Sequence, residues 1–461
     1  MAISNQNINP KKIIHEIESN YDVKSITVNG LPVWQIIRNL LYSHELGPSL
    51  FVKKNYSQFI NLNNWISLCK KKSFKYVLFT DSGEFEKINK KYCVDKVSQN
   101  LINSLKDELL VISDNKNKKI SLLNCNYHMD SFYFHLKRRL LFYKKVPPIK
   151  NETILKKIIN HKFDYKYHLK IFFIYENIFN KWLDSISPKA VFVNCGYSLF
   201  HQALIYACNK KNVKTIELQH GLISGGHTQY SPLKNIGKDV FAQYLLTFSE
   251  WEKKFVNHYF ISPDKVFPVG HYYLEYKAQN QSVSSQDLIK KLREKYDAIV
   301  LVSSQQIIEN DLAKTVAQIA KKRPQYCFIF KQRSSSGINF NAKNIVVDHK
   351  HSIYDFYGQI DLNLSCFSTS ILESLHLGAH STIVIDFKML ATLYWGPGAI
   401  YHPQIHLAKN LADLTRLLDC ELQKNEGIPV KTVVKSPLNP LYLPKTSEEQ
   451  LFNFLQSYII E

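Results

Sequence analysis

The strongest candidate for a catalytic site is the tripeptide Gln219-His220-Gly221, which follows an apolar run over residues 215–218. A histidine in a strand-end loop can take a proton from a substrate hydroxyl, because its ordinary pKa lies near neutrality. The adjacent glycine lets a substrate approach the backbone closely. The alternative without a function is that one of the 17 histidines falls after a strand by chance. We take His220 as a candidate base, with Gln219 and Gly221 as candidate substrate contacts.

Four further polar residues lie near this tripeptide in the sequence or after another apolar run. His227 and Tyr230 come a few residues later in the same glycine-rich loop, and Asp81 and Ser82 follow the run over residues 76–80. Their side chains offer donors and acceptors for sugar or phosphate oxygens. We predict that they contact an acceptor or a phosphate.

Three small hydroxyl residues, Ser368, Thr369 and Ser370, open a predicted helix that ends at Gly378. The free N–H groups at a helix start favour an anion, and short side chains allow a phosphate to come close. Glu373, one turn into the helix, is a candidate acceptor for ribose hydroxyls. An ordinary Ser/Thr helix cap explains the same pattern without a ligand.

A basic loop follows another predicted strand. Lys331 and Arg333 precede the flexible run of residues 334–337, and together they are candidates to clamp a diphosphate or a leaving phosphate. A solvated loop is the competing interpretation. Ser303 and Ser304, which follow a further strand, complete the predicted donor-binding set.

Several common nucleotide and metal motifs are missing from the sequence. It has no phosphate-binding lysine loop of the Walker type, no Gly-x-Gly-x-x-Gly after a strand and no His-Glu-x-x-His. ATP hydrolysis, NAD chemistry and zinc hydrolysis therefore have no support. No Asp-x-Asp pattern is present either, so we expect no metal or other cofactor.

The elements that must position these residues are predicted from short apolar runs closed by polar loops. The predicted strands cover residues 76–80, 190–194, 215–218, 244–248, 266–270, 298–302, 327–330, 345–347, 362–365 and 382–385. Helical patterns such as residues 310–322 lie between them, and strand–helix–strand units with short loops make parallel sheets. The predicted fold class is α/β, with two doubly wound domains.

A polar stretch over residues 277–286 has linker composition and separates the two domains. We predict a Rossmann-like acceptor-side domain over residues 1–275, with a helical, basic N-terminal region, and a Rossmann-like donor-binding domain over 287–440. Residues 441–461 contain a helix with a capping-box sequence, and this helix is a candidate to pack back on the N-terminal domain. Ligands bind beyond the carboxyl ends of parallel strands, so we expect the site in a cleft between the domains.

The composition limits the cellular compartment and the partners that we expect. The chain has 461 residues, a formal net charge of +20 and eight cysteines scattered singly. No apolar run is long enough to span a bilayer and the first residues do not resemble a secretory signal, so we expect a reduced, cytoplasmic protein. Basic residues interleaved with apolar ones over residues 134–150 suit an anionic membrane leaflet as partner. A lysine-rich composition without any partner explains the same charge. Nucleic acid is a weaker alternative and not our expectation.

Residues 190–221, with their strand, helix and closing Gln-His-Gly, resemble bacterial capsule and O-antigen glycosyltransferases of the GT-B fold. This clan includes β-Kdo transferases, polysialyltransferases and teichoic-acid glycerophosphotransferases. The pattern Trp34-x-x-x-Arg38, the passage over 246–270 and the segment from Ser368 to Gly378 resemble the same proteins. Together these stretches span most of the chain.

The resemblance implies roles for individual residues. His220 matches the histidine that acts as base or contacts the reacting groups, and Ser368 to Ser370 with Glu373 match contacts to the donor nucleotide's phosphate and ribose. The chain departs from its relatives at residues 331–334, where many carry Lys-x-His-Pro and this sequence has Lys-Gln-Arg-Ser. That histidine serves the phosphate of a CMP donor, so CMP-sugar use depends on Arg333 replacing it.

The sequence thus predicts transfer of a hexose or ulosonic acid from a nucleotide sugar to a lipid-linked glycan at the cytoplasmic leaflet. The nearest rival is a CDP-polyol phosphotransferase of the teichoic-acid type. A nucleotide-sugar 2-epimerase is a rival within the same fold, but we do not find its paired acidic residues. A non-catalytic, anion-binding scaffold is the rival from a different class.

Overall fold

The computed structural model describes residues 10–46, 73–89, 92–114, 122–143, 145–159, 163–280, 282–333, 338–396, 402–424 and 445–460. The predicted loop over residues 334–337 lies outside these ranges. The described residues form two compact units. The first unit takes its residues from Met1–Ile223, Thr228–Tyr272 and Lys445–Glu461, and the second from Ser224–His227 and Tyr273–Pro444.

The first unit is built on a seven-stranded parallel sheet. Two short antiparallel ribbons accompany it, β1 (Thr27–Val28) with β2 (Leu31–Pro32) and β4 (Phe85–Asn89) with β5 (Tyr92–Asp95). The sheet strands are β3 (Tyr76–Phe79), β6 (Leu109–Ser113), β7 (Tyr127–Asp130), β8 (Ala190–Val193), β9 (Lys214–Leu218), β10 (Tyr244–Thr247) and β11 (Val266–Pro268). Their order is β11-β10-β9-β8-β3-β6-β7.

The second unit is built on a six-stranded parallel sheet. Its strands are β12 (Ala298–Ser303), β13 (Tyr326–Lys331), β14 (Ile345–Val347), β15 (Leu362–Ser365), β16 (Ser381–Ile385) and β17 (Ile405–Ala408). Their order is β14-β13-β12-β15-β16-β17. Every residue of β12 is buried, as expected of a parallel strand covered by helices on both faces.

Helices fill the connections. In chain order they are α1 (Pro10–Asn20), α2 (Trp34–Leu46), α3 (Gln99–Ser104), α4 (Phe132–Leu140), α5 (Glu152–Ile158), α6 (Tyr165–Ile186), α7 (Leu199–Lys210), α8 (Tyr272–Gln279), α9 (Val283–Arg293), α10 (Glu309–Lys322), α11 (Ser370–His376), α12 (Leu390–Trp395), α13 (Leu411–Lys424) and α14 (Ser447–Leu455). Over the described residues, no helix combines the length and the apolar character that crossing a bilayer requires.

Both sheets share one winding pattern. In the first sheet the strand order reverses between β3 and β8, and in the second it reverses between β12 and β15. Such a reversal leaves a crevice beyond the carboxyl ends of the two strands, where open α/β sheets bind ligands. The predicted fold class, α/β with two doubly wound Rossmann-like domains, is confirmed.

The prediction of a linker over residues 277–286 is wrong. Helix α8 continues to Gln279 and α9 begins at Val283, so little of the stretch is extended. The prediction rested on the polar composition of this stretch and did not consider the apolar residues on either side. Two of these, Leu274 of α8 and Ile289 of α9, are buried. Burial of one helix face outweighs the local composition.

The C-terminal helix α14 belongs to the first unit. Its apolar side chains join a buried cluster with residues of the first sheet and of α3: Leu451, Phe454 and Leu455 lie with Leu101, Leu218 and Leu246. Thr446 caps the helix by accepting a hydrogen bond from the Glu449 N–H, which is one half of the predicted capping box.

Candidate functional site

His220 lies directly beyond β9, one strand away from the reversal point of the first sheet. The hydroxyl of Tyr197, in the loop after β8, lies 3.2 Å from its Nε2 atom. Burial lowers the pKa of His220 below its ordinary value of 6.5, against the opposing effects of Glu84, the Asn194 backbone and Asp81. The imidazole is therefore neutral at pH 7 and available to accept a proton.

Glu217, the second-last residue of β9, is a buried carboxyl group that the sequence analysis missed. Its Oε1 atom accepts hydrogen bonds from the Gly196 N–H at 3.1 Å and from the Tyr230 hydroxyl at 2.9 Å. Burial raises the pKa of Glu217 to about 7. Tyr230 is thus a buried support for this carboxyl group, and Glu217 fixes the loop that carries Tyr197.

Gly196 has a steric reason to be glycine. A Cβ atom at this position would lie 2.4 Å from Oε2 of Glu217 and 2.8 Å from its Cδ. At Gly221 a Cβ atom would meet nothing within 4 Å, so the space beside His220 is open. Packing therefore requires glycine at position 196, whereas no packing contact requires it at position 221.

Gln219 joins β9 to the neighbouring strand. Its Oε1 atom accepts from the Phe248 N–H at 2.7 Å, and its Nε2 donates to the Gly221 carbonyl at 2.9 Å and to Glu252 at 3.1 Å. Burial raises the pKa of Glu252 to about 7 as well. The amide of Gln219 is fully engaged within the protein, so it orients the loop that begins at His220.

The reversal point between β3 and β8 holds a buried polar network. Asn194 donates to the Thr80 hydroxyl, which donates to Asp95, both at 2.6 Å. Burial raises the pKa of Asp95, although Ser98 and Thr80 donate hydrogen bonds to it. Of the two residues predicted here, Asp81 is exposed and accepts from the Gly83 N–H, while Ser82 is buried.

The Trp34-x-x-x-Arg38 pattern anchors the loop that follows His220. Glu18 accepts from Trp34 Nε1 at 3.1 Å and from Arg38 Nε at 2.5 Å. Arg38 also donates to the Thr228 carbonyl at 2.6 Å, and Glu18 accepts from the Leu233 N–H at 2.9 Å. A buried charge pair in the N-terminal helices thus holds both ends of the segment from Thr228 to Leu233.

In the second unit, hydroxyl groups surround the reversal point between β12 and β15. Ser303 donates to Asn363 at 2.7 Å, and Asn363 in turn donates to the Ser370 carbonyl at 3.1 Å. Ser370 is buried, whereas Ser368 and Thr369 are partly exposed at the start of α11. Thr369 stands at the helix cap position, yet its side chain makes no capping hydrogen bond.

A carboxylate occupies the start of α10. Oε1 of Glu309 accepts from the Ser304 hydroxyl at 2.7 Å and from the Arg333 N–H at 2.5 Å. Glu309 is buried at the first position of α10, where the free N–H groups of a helix start favour a carboxyl group. Arg333 is exposed, so Ser304 is committed to the protein while Arg333 reaches solvent.

Lys331 is held by three oxygen acceptors. Its Nζ atom donates to the Asp348 carbonyl at 2.9 Å, to the Asp348 carboxylate at 2.6 Å and to the His351 carbonyl at 2.6 Å. Burial alone would raise the pKa of Asp348, but hydrogen bonds from Lys331 and His351 outweigh it and lower the pKa. A phosphate would have to displace one of these acceptors to reach the Lys331 ammonium group.

The remaining predicted contacts also lie in the second unit. Glu373 is buried in α11, 3.5 Å from the Tyr354 hydroxyl. The His227 ring lies 6.5 Å from that of Tyr394 in α12. Residues 224–227 approach α12 closely, because a Cβ atom on Gly226 would lie 2.0 Å from the Tyr394 carbonyl oxygen.

No protein-family model matches this chain, and no curated protein matches it in sequence. Solved structures do match its fold. A proposed UDP-N-acetylglucosamine 2-epimerase from Listeria monocytogenes superposes with a TM-score of 0.55 at 11% identity, over 84% of this chain and 97% of that one. A UDP-GlcNAc 2-epimerase from Neisseria meningitidis, bound to UDP-GlcNAc, gives a TM-score of 0.51 at 14% identity, over 83% and 99% of the two chains. Another UDP-N-acetylglucosamine 2-epimerase gives 0.52 at 13% identity, over 85% and 98%.

At these identities the likeness establishes the fold. The shared architecture is that of two doubly wound domains, as found in GT-B enzymes, and it covers most of both chains in each pair. Function within such a fold depends on the site, because one fold carries many reactions.

Proposed function

We propose that this chain is a glycosyltransferase that moves a sugar from a nucleotide-activated donor to a bacterial surface polysaccharide of the capsule or O-antigen type. The observation that carries the proposal is the neutral imidazole of His220, beside the hydroxyl of Tyr197 at the carboxyl edge of the first sheet. The open space at Gly221 supports it, since an acceptor sugar needs access to this edge.

The reaction needs one proton acceptor. The acceptor's hydroxyl oxygen forms a bond to the anomeric carbon as the bond from that carbon to the donor phosphate breaks. The hydroxyl proton passes to His220, directly or through the Tyr197 hydroxyl, and the nucleoside phosphate leaves with the bonding electrons. A base that activates the incoming hydroxyl in this way favours inversion at the anomeric carbon.

We assign donor binding to the second unit. Ser368, Thr369 and Arg333 reach solvent at the carboxyl edge of its sheet, and a guanidinium can stabilise the leaving phosphate without a metal. The Neisseria protein with this fold is described as bound to UDP-GlcNAc, which supports a nucleotide sugar as ligand. The acceptor is then a lipid-linked glycan on the inner face of the plasma membrane.

Epimerisation of a nucleotide sugar at C2 is the second candidate, because the matching structures above are described as enzymes of that kind. It would require carboxylates that reach the sugar. The buried carboxyl groups at the edge of the first sheet, Asp95, Glu217 and Glu252, instead accept hydrogen bonds from the protein itself. Asp81, which is exposed, and Glu84 act electrostatically on His220. They are the carboxylates that an epimerase would use, and the experiment below decides between the two reactions.

The deciding experiment offers CMP-, CDP-, UDP- and GDP-activated donors with and without a glycan acceptor, in deuterated water. Transferase activity releases a nucleoside phosphate only when the acceptor is present, and chelation of metals leaves the rate unchanged. Consumption of UDP-GlcNAc without acceptor, with deuterium incorporated at C2, would establish the epimerase instead. Release of CMP from CDP-glycerol would identify the polyol phosphotransferase, and no turnover in any arm would favour a scaffold.

A further inference from the structure

A basic and apolar surface patch lies at the end of α4, and none of its residues was placed in the candidate site. Leu140 is 69% exposed, Phe142 37% and Tyr143 76%. Single exposed apolar residues are normal on a protein surface, but three within four positions concentrate apolar surface in one place, as interaction sites do. We call these three residues, with Lys137 and Arg139, the α4 patch.

The opposite side of α4 is fixed to the core, so the patch is presented on a rigid base. Phe134 is fully buried, with its ring centre 5.0 Å from that of Phe179 and 5.4 Å from that of Trp182. His135 Nδ1 lies 2.6 Å from the Tyr175 hydroxyl. The helix therefore cannot rotate to bury Leu140 without losing these contacts.

The patch carries one sign of charge. Between Ser131 and Lys150 the sequence has six lysines and arginines and no aspartate or glutamate. Lys137 Nζ lies 4.3 Å from the centre of the Tyr133 ring, and Lys170 of α6 lies 3.9 Å from that of Phe142. Two cations thus lie over aromatic rings of this segment.

We propose that the α4 patch docks the protein on an anionic lipid bilayer. Leucine and aromatic side chains enter the boundary between headgroups and acyl chains, while lysine and arginine contact anionic headgroups. A nucleic acid would use the cations and stack on the rings, but it gains nothing from an exposed leucine. The combination therefore favours a membrane.

The patch is related to the proposed reaction through the membrane. Helix α4 begins at Phe132, two residues after β7 ends at Asp130, and the α4 patch lies at its other end. Docking through the patch would bring the protein to the bilayer that carries lipid-linked acceptors. The inference deepens the proposed function, but membrane binding itself does not depend on sugar transfer.

The test is co-sedimentation with vesicles of phosphatidylglycerol and phosphatidylcholine, compared with phosphatidylcholine alone. The patch variant is the full chain with Leu140→Glu, a position that is 69% exposed. Val283→Glu is the matched control, because Val283 is 71% exposed but lies outside the patch, in α9. We expect the patch variant to lose at least about tenfold in partitioning to anionic vesicles and the control to partition like the wild type.

Three results would overturn the proposal. They are a wild type that does not bind anionic vesicles, a patch variant that binds as well as Val283→Glu, and binding to an oligonucleotide that Leu140→Glu weakens while vesicle binding does not change. Turnover with a soluble glycan acceptor keeps the two claims apart. A patch variant that transfers sugar normally but does not bind vesicles supports docking. If no variant shows turnover, the vesicle-binding result still tests the docking proposal.

Discussion

At the scale of single residues, the role of His220 is open to direct measurement. Replacing it with alanine should lower kcat by about 10²- to 10⁴-fold, the usual contribution of a general base, while donor affinity stays unchanged. Because the pKa of His220 is lowered below 6.5, wild-type turnover should be flat above that pH and fall as the imidazole is protonated below it. Steady-state rates between pH 5 and 8 check both expectations.

Two variants make the His220 measurement specific. Tyr197→Phe removes the hydroxyl beside Nε2 and should shift the acidic limb of the pH profile without abolishing transfer. His258→Ala removes an exposed histidine of the first unit and should leave the profile as it is. Full activity in His220→Ala would remove the base from the proposed mechanism.

The two glycines at this edge should respond differently to the same change. Gly196→Ala places a Cβ atom 2.4 Å from Glu217 Oε2, and overpacking of this kind costs about 1 to 3 kcal/mol of unfolding free energy. Gly221→Ala meets no atom within 4 Å and should keep wild-type stability. If Gly221→Ala then loses affinity for the acceptor, the substrate comes close to the backbone there; equal stability losses in the two variants would contradict the packing argument.

At the scale of elements, β9 contains a pH-dependent group inside the sheet. The pKa of Glu217 is about 7 in the folded protein, against an ordinary 4.5, so the folded state holds this proton more tightly than the unfolded state does. Its contribution to stability is complete below pH 4.5 and is lost as the pH rises to about 7. The loss amounts to about 3 kcal/mol at most.

Glu217→Gln should flatten this part of the stability profile. Glutamine keeps an acceptor for Gly196 and Tyr230 but cannot ionise, so its urea-unfolding free energy should fall less between pH 5 and 8 than that of the wild type. Glu252, whose pKa is also raised to about 7, remains in both proteins and cancels in the comparison. Parallel profiles would mean that Glu217 does not titrate in this range.

Helix α14 offers a matched pair of neighbouring side chains. Leu451 is 3% exposed and Phe452 is 55% exposed. Leu451→Ala should destabilise the first unit by about 2 to 5 kcal/mol, because it leaves a cavity among Leu101, Leu218 and Leu246. Phe452→Ala should stay within about 0.5 kcal/mol. Denaturant unfolding separates the two, and similar values would show that α14 does not pack as described.

Elements of this kind are where the sequence is most informative. The runs predicted at residues 190–194, 215–218 and 298–302 match β8, β9 and β12 to within a residue or so, because a parallel strand buried on both faces is a continuous apolar run. The partners of Glu217 were not predictable, since Gly196 and Tyr230 are 21 and 13 residues away and meet it only through the sheet. The same holds for Lys331, whose acceptors come from the loop after β14.

At the scale of the whole molecule, the chain passes between its two units more than once. Residues 224–227 belong to the second unit although the first resumes at Thr228, and the last residues return to the first unit. Each unit nevertheless has its own sheet, and a domain with its own core is expected to unfold as a cooperative entity. Calorimetry should therefore resolve two transitions.

Those two transitions give a test of where the donor binds. Leu451→Ala should lower the Tm of the first unit's transition and leave the other Tm unchanged. This difference shows which transition belongs to which unit. A nucleotide sugar at about 100 times its Kd adds roughly 2.7 kcal/mol to the unit that binds it, a Tm rise of several degrees for a unit of this size. If Ser368, Thr369 and Arg333 bind the donor, the rise should fall on the transition that Leu451→Ala leaves unchanged. A Tm rise confined to the transition of the first unit would indicate that the donor binds at the edge that carries His220. The roles proposed for the two units would then have to be reversed.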